Sequence, residues 1–121
     1  MGSEPLATVR AAVGALEAKK AYHLVALDVS ARTSIADTFV ICSVGSERQA
    51  RAVADEVDRA LVALGEHALS VEGYAQGGWI LMDYGDFIVH VFLEERREYF
   101  ALERLWGDAP EITARVRAAG A

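Results

Sequence analysis

Three stretches of this chain are apolar almost without interruption: His23–Val29 (HLVALDV), Thr38–Val44 (TFVICSV) and Asp86–Leu93 (DFIVHVFL). All three read as strands. A strand with one face in water alternates apolar and polar side chains. The first two do not alternate, which predicts strands covered on both faces, as in a layered α/β sheet. Two shorter strands are expected beside them, Ala68–Glu72 and Trp79–Asp83 (WILMD). The latter joins the Asp86 strand through Tyr84-Gly85, a link short enough for a tight hairpin in which glycine supplies a positive φ.

The layers over such a sheet come from segments with helical period. In Pro5–Lys20 the residues Leu6, Val9, Val13 and Leu16 recur at spacings of three and four, with Pro5 suited to a first turn behind a Ser3 or Glu4 cap. Ser46–Leu64 carries the clearest pattern. Ser46 and Gln49 make an S-x-x-Q capping box, Ala50, Val53, Ala54, Val57, Leu61 and Leu64 form one stripe, and Gly65 is placed to end the helix. A last helix is expected over Glu94–Trp106, with Tyr99, Leu102 and Trp106 on one face. Pro110 is expected to close the regular structure. The 121 residues suit one domain with one core, taken as 1–107 with a mobile tail over 108–121. The predicted architecture is α/β: a five-stranded mixed sheet flanked by helices, in the order α-β-β-α-β-β-β-α.

Charge narrows the partners. A formal net charge of −6 disfavours a grip on phosphate backbones. It suits a basic protein partner, although solubility alone explains a mild acidity, and on charge alone that blander explanation is preferred. The single cysteine, Cys42, excludes an internal disulfide and lies in an apolar run, where a thiol packs as a small hydrophobe. No apolar stretch has membrane-spanning length and no signal core follows a basic start, so the expected compartment is the cytoplasm.

Chemistry has few candidates. Gly45-Ser46 opens a helix after an apolar strand, as in nucleotidyltransferases, but the next strand offers one carboxylate, Glu72, where two-metal catalysis needs a pair. Ser46 is already accounted for as a cap. His90 within the fifth strand reads as a hydrogen-bonded core residue, and His23 and His67 lack metal-ligand spacing. Arg96, Arg97 and Arg104 are offset by Glu94, Glu95, Glu98 and Glu103. No catalytic residue, metal ligand or cofactor is expected. WILMDYGD (Trp79–Asp86) gathers two carboxylates and an aromatic at one hairpin. An ordinary turn explains it, and is preferred on chemistry alone; a recognition edge anchored on Trp79 is the other possibility.

Taken together, ALDVSARTSIADTFVICSVGSERQ (26–49), VEG (71–73), GWILMDYGDFIVHVF (78–92) and YFALERLWGDAP (99–110) are similar to the ribosomal silencing factor family, the Iojap-like proteins. The resemblance runs from about residue 20 to 110. It implies a nucleotidyltransferase-like fold without the catalytic carboxylates. It also implies a non-enzymatic protein that binds the large ribosomal subunit through ribosomal protein L-fourteen, blocks joining of the small subunit and represses translation, with little direct RNA contact and a homodimer when free. The residues expected at that interface are Trp79, Leu81, Met82, Asp83, Tyr84 and Asp86, completed by Tyr99, Phe100 and Glu103. Strand alternation sends Trp79, Leu81 and Asp83 to one face and Met82 and Tyr84 to the other, so some of these belong to the core or to a dimer face. Relatives carry an aromatic followed by Tyr before the Leu-Glu pair. Here the order is Tyr99-Phe100, which removes a hydroxyl from the second position. The competing readings are a nucleotidyl-transferring enzyme on the same fold and a dimeric adaptor with an unrelated partner.

Overall fold

A computed structural model describes residues 5–95 and 109–118. Among the described residues, three helices, α1 (Pro5–Ala18), α2 (Glu47–Val62) and α3 (Thr113–Ala118), accompany five strands, β1 (Tyr22–Asp28), β2 (Thr38–Val44), β3 (Ser70–Glu72), β4 (Trp79–Asp83) and β5 (Phe87–Leu93). The strands form one sheet in the order β1-β2-β5-β4-β3. The β2–β5 pair is parallel and the other three pairs are antiparallel. The parallel pair follows from the α2 crossover, which carries the chain from the end of β2 over the sheet before β3–β4–β5 return as a meander.

Of the first two strands, both expected to be covered on both faces, only β2 is: it lies inside the sheet, whereas β1 is an edge strand whose Tyr22 and His23 are exposed. Every residue of β2 is buried, and so is every residue of β5 except Leu93. One face of the sheet packs under the helices. Val40, Cys42, Val44, Ile80, Met82, Tyr84, Phe87, Val89 and Val91 meet Val9, Val13 and Leu16 of α1, Val53, Val57 and Leu61 of α2, and Val116 of α3. The other face holds a second cluster of Leu27, Val29, Phe39, Ile41, Ile88 and Phe92, with Ala36 and Ala109 against it. Cys42, at 0% exposure, packs in the first cluster as a small hydrophobe.

The capping box of α2 forms, with one refinement. Ser46 Oγ accepts from the Gln49 backbone N–H (3.0 Å), as the S-x-x-Q spacing requires. The Gln49 side chain goes further: its Oε1 accepts from Gly45 N–H (2.8 Å), and its Nε2 donates to the carbonyls of Lys19 (3.1 Å) and Lys20 (3.2 Å). One side chain thus satisfies the start of α2 and ties down carbonyls just past the end of α1.

Two expectations are corrected. The first strand runs Tyr22–Asp28 rather than His23–Val29, with irregular pairing between Tyr22 and Val25 and His23 at a φ of 49°. This is a bulge, and the pairing of Tyr22 with Ser43 beyond it leaves no trace in the apolar run. The chain beyond Pro110 is also structured. Glu111 bridges Leu27, the Ala26 N–H donates to Thr113 Oγ1 (2.9 Å), and Ile112 and Val116 are buried at i,i+4 spacing. Arg117 pairs with Glu17 of α1 (2.7 Å) and accepts from Arg10 through its carbonyl. Six helical residues with two apolar anchors are too short a pattern to stand out in the sequence.

Candidate docking site on the sheet

Alternation along β4 sorts the expected interface residues by face. Ile80 and Met82 are buried among the helix-side residues, and Tyr84 continues that side. Met82 is 1% exposed and Tyr84 8%. The Tyr84 ring stacks on Phe87 with centroids 5.0 Å apart. Desolvation, with the Asp58 charge as a smaller cause, pushes its phenol up to about 12. Met82 and Tyr84 therefore drop out as partner-facing anchors, because the helix stripe has already covered them. Asp86 is exposed beside the hairpin, and its carbonyl accepts from Asp37 N–H (2.9 Å). Tyr99, Phe100 and Glu103, with most of the expected Glu94–Trp106 helix, lie outside the described residues.

Trp79, Leu81 and Asp83 point to the opposite face, and all three are partly exposed. Trp79 and Leu81 pack against the edge of the second cluster. Asp83 is held by its own turn, where Oδ1 accepts from Gly85 N–H (2.8 Å). This is an Asx arrangement that fixes the hairpin while leaving the other carboxylate oxygen available.

Register then adds a residue that the linear sequence did not nominate for this face. On the same face Glu72 of β3 stands opposite Leu81, and Ser70 stands opposite Asp83. Glu72 is exposed. The result is an apolar step, Trp79 and Leu81, bordered by the carboxylates of Glu72 and Asp83. Glu72 was visible only as a lone carboxylate, because its neighbours depend on the β3–β4 pairing.

Behind the step lies a cluster of rings. His90 stands opposite Leu81 on one side and beside Ile41 on the other. Trp79 Nε1–H donates to His90 Nδ1 at 3.2 Å. The indole stacks on Phe92 (5.0 Å, 25° between planes), and Phe39 meets the imidazole edge-on (4.9 Å). His90 is 4% exposed, and burial pushes its pKa down to about 4. The ring is therefore neutral at physiological pH. With Nδ1 accepting, its proton sits on Nε2. That Nε2 is buried and has no hydrogen-bond partner among the described residues.

A separate cleft of about 550 Å³ opens at the start of α2, lined by Tyr22, Gly45, Ser46, Glu47, Arg48, Arg51, Glu94 and Glu95 among others. Its charges are mixed and partly engaged. Arg51 donates to the Ala75 carbonyl (3.0 Å), Glu94 contacts His23 Nδ1 (3.3 Å), and the Ser46 hydroxyl caps α2. Among the described residues no three His, Cys, Asp or Glu side chains converge as a metal site, and no helix is long and apolar enough to cross a membrane. The arrangement with the clearest chemical use is the apolar step and its two carboxylates, which suit contact with a protein surface bearing aliphatic and basic groups.

Comparison with known proteins agrees with the fold and with the resemblance. The family model described as "Ribosomal silencing factor during starvation" matches residues 3–120. A ribosomal silencing factor of Halalkalibacterium halodurans is 45% identical over 84% of this chain and 86% of its own length. A crystal structure of a Chromobacterium violaceum protein superposes with a TM-score of 0.85 at 35% identity, covering 87% of this chain and 88% of that one. A mouse protein named for mitochondrial assembly of the ribosomal large subunit is 28% identical over 78% of this chain, which spans 42% of that longer protein. On the family model, which spans nearly the whole chain, and on relatives of this identity and coverage, the chain belongs to the ribosomal silencing factor family.

Proposed function

We propose that this protein docks on the large ribosomal subunit, through ribosomal protein L-fourteen, and keeps the small subunit from joining, so that translation is repressed. The reading makes the protein a cytoplasmic, non-enzymatic repressor. The observation that carries it is the partly exposed Trp79–Leu81 step flanked by Glu72 and Asp83. A large aromatic beside an aliphatic, ringed by polar groups, has the composition of an interface centre. The carboxylates match the basic surface common in ribosomal proteins, and the net charge of −6 opposes direct contact with RNA. Asp86 extends the acidic border, and Tyr99, Phe100 and Glu103 remain part of the proposed surface. In the same reading the free protein is a homodimer that covers this step and opens to bind.

The function asks only for steric exclusion. A body of about 13 kDa, held where two large particles must touch, prevents contact without chemistry. The test is Trp79→Ala. Truncating an interface anchor is expected to weaken binding to purified large subunits by about 2 kcal/mol or more in a variant that still folds, with its urea unfolding midpoint lowered because the Phe92 stack and the His90 hydrogen bond are lost. Unaltered affinity in a folded variant would remove Trp79 from the interface.

A further inference from the structure

We infer that His90, a buried residue that touches no partner itself, is a positioning residue for the docking surface: its Nδ1 holds the Trp79 indole in the orientation that the partner meets. The inference rests on the docking reading of Trp79 and adds to it a second residue and a constraint on what the partner contributes.

Trp79 is the first residue of β4, and its side chain is partly exposed. An indole in such a place has several staggered orientations open to it, and an interface residue that must choose among them on binding loses affinity to ordering. Two contacts across the β4–β5 pair narrow the choice. Phe92, directly opposite Trp79, stacks under one face of the indole. His90, diagonal to it, accepts the Nε1–H at 3.2 Å. Stacking alone leaves a ring free to slide and to turn over; a hydrogen bond at one edge removes the flipped orientation.

His90 in turn is fixed by Phe39 against its edge (4.9 Å) and by Phe92 in a parallel plane (6.1 Å). The position would be simpler to fill with an apolar side chain. Its surroundings are Ile41, Leu81, Phe39 and Phe92, and the imidazole leaves Nε2–H buried with no acceptor among the described residues. An unsatisfied buried donor destabilises a fold. The one polar bond the ring makes among the described residues is the bond to Trp79, so the return from this histidine lies in where the indole points.

The constraint on the partner follows. With the indole N–H engaged by His90, what Trp79 can offer a partner is ring carbon rather than a hydrogen-bond donor. The partner group that packs on it is therefore an aliphatic side chain or the stem of a long basic one, and not a hydrogen-bond acceptor seeking the indole.

The experiment measures affinity for purified large subunits, urea stability and the Trp79 indole proton signal, assigned by its loss in Trp79→Phe. His90→Leu, which removes the acceptor and the orphaned donor together, is expected to lose about fivefold in affinity, the worth of one positioned hydrogen bond, while its urea midpoint holds or rises. His90→Asn places an amide oxygen where Nδ1 was and is expected to bind within about twofold of the parent, despite poorer packing. In a Trp79→Phe background, which has no N–H to hold, His90→Leu is expected to change affinity no further. Parent-like binding by His90→Leu, with Trp79→Ala still defective, overturns the positioning role and leaves the docking reading standing. Parent-like binding by Trp79→Ala removes Trp79 from the interface and overturns the docking role on which the inference rests. Should His90→Leu fail to fold, the unmodified protein decides: a Trp79 indole proton that exchanges as fast as an exposed one overturns the inference, and a protected one sustains it.

Discussion

Placing a methyl group on Gly73 should damage this protein far more than placing one on Gly65, and the difference can be worked out from the backbone. Both glycines have a φ of 81°, in the left-handed region. An alanine there costs about 1–2 kcal/mol from its Cβ and carbonyl sterics wherever it occurs. At Gly65, just past α2, a built Cβ meets nothing within 4 Å, so that penalty is the whole effect. At Gly73, at the end of β3, the same Cβ falls 2.1 Å from the Trp79 carbonyl oxygen and 3.2 Å from its carbonyl carbon. The obstacle is backbone, so no side chain can swing away. The first residue of β4 must shift, at an overpacking cost of about 1–3 kcal/mol more. Gly73→Ala should therefore lose about 3 kcal/mol against about 1 for Gly65→Ala. With a urea slope of about 1.5 kcal/mol/M, the midpoints should fall by about 2 M and by less than about 1 M. The assay is urea denaturation of both variants beside the parent. Because the displaced residue is Trp79, Gly73→Ala should also bind large subunits more weakly under conditions where it remains folded. Equal losses for the two variants, or a loss below about 1 kcal/mol at Gly73, would refute the close approach from which the argument starts.

Other expectations concern the cap, the C-terminal helix and pH. Ser46→Ala should cost about 1 kcal/mol in urea denaturation, the worth of an N-cap side chain, leaving the Gln49 N–H without its acceptor. Thr113→Val removes the buried acceptor of the Ala26 N–H and should cost about 1–3 kcal/mol; a neutral result would mean that α3 contributes little to the fold. His90 titrates near 4 when folded, below its ordinary value of 6.5. Between those values the unfolded chain binds a proton that the folded chain does not. Stability attributable to His90 is then full above about pH 6.5 and falls as pH drops toward 4, by about 3 kcal/mol in all. The difference between parent and His90→Leu unfolding energies across pH 4–8 should follow that slope, and a flat difference would contradict it.

The sequence revealed most where apolar runs are unbroken and local signals agree. Thr38–Val44 and Trp79–Asp83 have the predicted bounds, because an unbroken apolar run bordered by turn residues has few other uses. The α2 helix was marked at both ends, by Ser46 and Gln49 and by Gly65, and along its length by a stripe at helical spacing. The first strand starts a residue before its apolar run because Tyr22 pairs with Ser43 across the irregularity that ends at Val25, and that pairing leaves no mark in the run. The α3 helix was missed because two anchors, Ile112 and Val116, make no visible period.

The site was half legible. Alternation alone separated Trp79, Leu81 and Asp83 from Met82 and Tyr84. Which set the helices cover depends on α2 packing over β4 and β5, which is non-local. Glu72 and His90 gain their neighbours only through strand register. The Trp79–His90 bond joins residues eleven apart in sequence, and no motif marks it.

The account as a whole stands on occupancy. The most direct measurement mixes purified small and large subunits with increasing amounts of this protein and follows joined ribosomes by sedimentation. Joined particles should decline in step with the fraction of large subunits that carry the protein, and Trp79→Ala should shift that curve to higher concentration. Large subunits that are saturated with the protein and still pair normally with small subunits would contradict the account.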